Sequence, residues 1–139
     1  MDFFTTTTAL CGQLDEISSE QQPLVRAAMR LAIQPWFDGS HTDQDLFYWG
    51  EFATEVQEVE ASWWTDPPQH LLAADTAGVG SDTAAAAAAL AEAVAAVFDR
   101  AADRSSGTLA WQRATSATQL RDAAQGLRDS MGSASESAP

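Results

Sequence analysis

The chain has 139 residues, 45% of them hydrophobic, and a formal net charge of −13. That length and apolar content predict one domain with a real core rather than a disordered acidic tail. The charge argues against nucleic-acid binding, which rests on cationic contacts to phosphates, and against association with anionic lipid.

The charge is unevenly placed. There is no lysine, and no arginine occurs between Arg30 and Arg100. That interval holds acids only, from Asp38 to Asp99, so nearly all the negative charge lies in the middle of the chain. Such a field attracts basic proteins and cations. GC-rich coding or salt adaptation would also give an alanine-rich, lysine-free chain, so the composition has a background explanation beside the functional one. Cys11 is the only cysteine, which rules out an intrachain disulfide. The N-terminal residues lack the cationic start and long apolar stretch of a secretion signal. The longest apolar run, 84–91, is far short of the ~20 residues a membrane span needs. The expectation is a soluble cytoplasmic protein.

The apolar spacing is helical throughout, with no period-2 run of β-branched residues. A first helix is expected over residues 3–17, weakened by the poor helix formers Thr5 to Thr8. A second runs over 23–36, with Pro23 in its first turn and Gly39 beyond its end. The third carries the strongest signal. Thr42 and Asp45 form a capping box, and Trp49, Phe52, Val56, Val59 and Trp63 follow at spacings of three and four. The pair Pro67-Pro68 terminates it. Residues 69–80 read as a connection, with Leu71 and Leu72 pinned to the core.

A fourth helix is expected from Ser81 or Asp82 to Arg104. Its stripe is Leu90, Val94, Val97 and Phe98, and most of its other faces are alanine. Ser105-Ser106-Gly107 is a turn. The fifth helix covers 109–131, with Leu120, Ala124, Leu127 and Met131 inward and Gly132 as its stop. The fold class is therefore all-α: a compact antiparallel bundle of four to five helices. Residues 1–131 form a single domain and 132–139 a disordered polar tail.

Known chemical signatures are missing. Glu55 and Glu58 have the i, i+3 spacing of a carboxylate bundle site, but no histidine completes it. His41 and His70 have no partner at ligand spacing, so neither a metal nor another cofactor is expected. His41 with Asp43 or Asp45 falls in a capping region, where such residues do structural work. Cys11 has no nearby cation to activate it and reads as a small buried thiol. No phosphate loop, nucleophile elbow or metalloprotease motif is present. Enzymatic activity is not expected.

Projected at 100° per residue from Trp49, the third helix separates its faces. The seam falls between about 280° and 340°, Glu51, Glu55 and Glu58 between about 180° and 240°, and Phe47 near 160°. Tyr48 lies between the two faces, and Trp64 points away from the seam. Glu51 and Glu55 repel at i, i+4 with no cation on the helix to offset them. Trp64 and Trp111 do not fit the core stripes, and exposed tryptophan is enriched at interfaces. Phe47, Glu51, Glu55, Glu58, Trp64 and Trp111 are thus the candidate partner-binding residues. The expected function is a binding module for a basic protein partner, of the immunity-protein, antitoxin, inhibitor or chaperone kind. The alternative is a self-associating structural subunit, a homodimer built on the apolar seam or the alanine-rich helix. Arg100 and Arg104, one turn apart, are expected to dock on the acidic third helix.

Overall fold

The computed structural model describes residues 2–38, 43–66 and 81–136. They form an all-α bundle of five helices: α1 (Phe3–Leu14), α2 (Pro23–Asp38), α3 (Asp43–Trp63), α4 (Ser81–Asp103) and α5 (Gly107–Glu136). Thr42 and residues 67–80, with the expected capping box and the leucines of the connection, lie outside the described residues.

Helix α1 forms despite its threonines because each exposed backbone end finds a partner. The Asp2 carboxylate accepts the Thr5 backbone N–H at 2.7 Å, and the Thr6 hydroxyl donates to the Asp2 carbonyl at 2.8 Å. The Thr5 backbone N–H, and after it the Thr5 hydroxyl, hold the Asp2 carboxyl below the usual carboxylate range. The helix stops at Leu14, three residues before the expected end. Arg100 of α4 explains the stop. Its guanidinium donates to the carbonyls of Leu14 at 2.7 Å and Ile17 at 2.7 and 2.9 Å, satisfying acceptors that a continuing helix would have used. Arg100 therefore closes α1 and does not dock on α3; Arg104 is exposed.

Helix α4 is the hub. Ala84, Ala87, Ala88, Leu90, Ala91, Val94, Ala95, Val97, Phe98 and Ala101 are all buried, a distribution that leaves only a narrow strip for water. Alanine adds no bulk beyond its Cβ, so α1, α2 and α5 each pack against this helix. Helix α3 sits further out, between α2 and α5. Four of its five seam residues, Trp49, Phe52, Val56 and Val59, are buried, and Trp63 at the end is half-buried. Both surfaces suggested for self-association, the seam and α4, are consequently used inside the chain.

Ion pairs orient the neighbours. Glu60, buried on α3, accepts from Arg30 at 2.5 and 2.7 Å and from Arg26 at 3.4 Å, tying α3 to α2. Arg121 pairs with Asp99 and Arg128 with Glu92, tying α5 to α4 in antiparallel register. Among the described glycines only Gly50 is closely approached: an added Cβ would stand 3.2 Å from the Trp36 ring. At the α4–α5 turn Gly107 takes a φ of 64°, the left-handed region that favours glycine. Two helix ends differ from expectation. Pro35 stands in the last turn of α2, where its ring removes the N–H that would bond the Leu31 carbonyl, yet the helix continues to Asp38. Gly132 does not stop α5, which runs on to Glu136.

Glu20, between α1 and α2, is 1% exposed. One carboxylate oxygen accepts from Arg113 of α5 at 2.5 Å; the other is buried without a hydrogen-bond partner. Arg113 also donates to the Ala101 carbonyl at 3.3 Å. Removing Arg113 alone strands a buried charge, whereas replacing both members removes it. Arg113→Ala should therefore cost about 3–5 kcal/mol in a urea titration, and Glu20→Met with Arg113→Met should recover most of it. Equal destabilisation by the single and double variants would rule out this account.

The two adjacent tryptophans have different environments. The Trp63 indole N–H donates to the buried Ser116 hydroxyl at 2.8 Å, and its ring packs on Phe98 at 5.4 Å. Trp64 is half-buried like Trp63, but its ring faces the Arg26 guanidinium, 5.7 Å from the ring centre. Trp63→Ala should destabilise by about 3 kcal/mol, since it opens a cavity and leaves Ser116 unpaired. Trp64→Ala should cost clearly less in the same denaturant titration; the opposite order would refute this packing.

Candidate interaction groove

Helices α3 and α5 run antiparallel. Trp63 meets Ser116 and Glu55 meets Gln119, so one helix descends as the other rises. Toward solvent the two helices leave an open groove of about 1010 Å³. The α3 wall includes Tyr48, Gly50, Glu51, Phe52, Thr54 and Glu55. The α5 wall runs from Trp111 through Ala114, Thr115, Thr118, Gln119 and Asp122 to Gly126, Leu127 and Ser130. The α5 side is built largely from small residues at helical spacing, which is why the depression is long and shallow-walled.

The electrostatics of the groove follow from where the arginines are used. Among the described residues, Arg26, Arg30, Arg100, Arg113, Arg121 and Arg128 have internal partners. None lines the groove, whereas Glu51, Glu55 and Asp122 do. The Gln119 amide donates to Glu55 at 2.7 Å and to Glu58 at 2.9 Å. That neutral donor fixes two carboxylates in place without cancelling their charge.

The structure brings part of the expected set together. Glu51, Glu55 and Trp111 border the groove, and Trp111 is 68% exposed. Glu58 is joined to it through Gln119. Phe47, 61% exposed, meets the groove-lining Tyr48 edge-on at 5.6 Å between ring centres. Trp64 is separate: it lies against Arg26 on the α2 side and does not border the groove. Sequence reasoning missed the α5 wall, including Gln119, Asp122 and Gly126. The signal was present as a small and polar stripe at positions 115, 118, 122 and 126, following Trp111 on the same face and opposite the buried Leu120, Ala124 and Leu127.

Elsewhere the described residues offer little chemistry. Among them no group of three or more His, Cys, Asp or Glu is arranged to hold a metal, and His41 and His70 lie outside them. Burial pushes the Cys11 thiol up, and the charges of Asp15 and Glu92 add to the effect, so its reactive thiolate form is disfavoured. Among the described residues no helix is long and apolar enough to cross a membrane. In comparisons with known proteins, no family model, curated protein or solved structure matches the chain.

One groove residue makes an immediate stability test. Gly126 lies inside α5 and is exposed, and a Cβ added there meets nothing within 4 Å. Gly126→Ala should raise stability by about 0.5–1 kcal/mol, because alanine loses less backbone freedom in a helix. A thermal melt showing destabilisation would mean the site is occupied by other parts of the chain.

Proposed function

We propose that this protein is a binding module for a basic protein partner, with the groove between α3 and α5 as its recognition surface. The observation that carries the reading is the lining: three carboxylates beside the aromatic side chains of Tyr48 and Trp111, with no arginine among them. A solvated helix face needs no concavity and no exposed tryptophan. A cationic partner gains from both, first through long-range attraction and then through aromatic contact. The wider acidity of residues 31–99 adds to the steering field. The candidate classes remain those of an immunity protein, antitoxin, inhibitor or chaperone, and the reading assigns no catalysis.

Charge reversal tests it. Glu51→Lys, Glu55→Lys and Asp122→Lys together should preserve the helical circular-dichroism signal, because none of the three pairs with a described arginine. Immobilised wild-type protein should capture basic proteins from the source lysate that elute as salt rises, since added ions screen the attraction. The triple variant should lose them. Identical captured sets on the two columns would show that the acidity plays no part in recognition.

A further inference from the structure

We infer that the groove receives a single arginine-bearing α-helix of the partner, lying along α5 with its narrow side over Gly126 and its cations toward Glu51, Glu55 and Asp122. This rests on the reading of the groove as a recognition surface and specifies what occupies it.

The first argument is length and shape. The α5 wall extends from Trp111 to Ser130, about 28 Å at the rise of an α-helix. A third helix laid on two antiparallel helices fills such a channel along its whole length. A compact ligand would leave most of it wet.

The second argument is backbone chemistry. An extended peptide held in a protein groove needs partners for its N–H and C=O groups, usually a sheet edge. The groove is walled by two helices whose own backbone groups are paired internally, and no strand occurs among the described residues. A helical occupant brings its backbone bonds with it.

The third argument is the detail of the two walls. Glu51 and Glu55 stand one helical turn apart, the spacing at which arginines at i, i+4 on a facing helix repeat. Gly126 has open space above it. A glycine inside an exposed helix costs stability, and no described residue packs against this one; close approach by another helix gives it a use. Trp111, exposed at one end, offers its face to a terminal guanidinium. A second copy of the chain is a poor occupant, because it would bring acids against acids.

Fluorescence anisotropy with labelled synthetic peptides of about 19 residues tests this on the full chain. The probe is an Ala/Leu/Arg peptide with arginines at i, i+4. One control has the same composition with alternating L- and D-residues, which cannot sustain a right-handed helix. The other replaces every Arg with Glu. The all-L cationic peptide should bind at least about tenfold more tightly than the mixed-chirality peptide and gain helical circular dichroism on binding. The Glu peptide should not bind. Gly126→Trp, which alters no charge, should weaken the all-L peptide by about tenfold or more.

Equal binding of the two cationic peptides to wild-type protein would overturn the helical occupant while leaving the acidic recognition surface intact. Full binding of the all-L peptide to a folded Gly126→Trp variant would place its site outside the groove and overturn the inference as well. Failure of both cationic peptides to bind would overturn this inference together with the reading beneath it.

Discussion

The bundle depends on how closely helices can approach α4. Where Ala84, Ala87, Ala88, Ala91, Ala95 and Ala101 face a neighbour, no side chain beyond Cβ holds the helices apart. Dispersion contacts then form along whole helix lengths, and α1, α2 and α5 share one central rod. Larger residues punctuate this surface only at Leu90, Val94, Val97 and Phe98. Because α4 takes α5 so deeply, α5 turns just one flank toward α3. The opening between α3 and α5 is thus a by-product of tight packing elsewhere.

The second organising fact is the allocation of cations. With seven arginines, no lysine and twenty acids, every internal ion pair leaves the same net charge of −13 with fewer cations to interrupt it. The arginines serve structural tasks: closing α1, joining α2 to α3, and aligning α5 on α4. The partners drawn inward include Glu20 and Glu60, which lie at helix junctions. Acids on the outer flank of α3 keep their charge, with Gln119 rather than an arginine holding two of them.

Much of this fold was legible in the sequence, for a simple reason. A helical core stripe is a local property, so Trp49 to Val59 and Leu120 to Leu127 announce themselves by spacing alone. The acidic flank of α3 was readable from the same projection. What stayed hidden was relational. Nothing local to Arg100 says that it will reach the carbonyls of Leu14 and Ile17 across the bundle. Nothing near Trp64 says that Arg26 will cover it. The shorter α1 has the same cause, since its end is set by a residue more than eighty positions away. Gly132 was misjudged differently: glycine permits a helix stop without imposing one.

Trp36 and Gly50 face each other closely between α2 and α3. A Cβ at position 50 would oblige the indole to shift by a few tenths of an ångström. The two positions therefore behave as one compartment of fixed volume shared by two helices. Tolerated variants should keep the sum roughly constant, a smaller ring at 36 licensing a methyl at 50. Enlargement at either position alone would act as a spacer, lifting α3 away from α2 and, with it, one bank of the channel that α3 forms with α5.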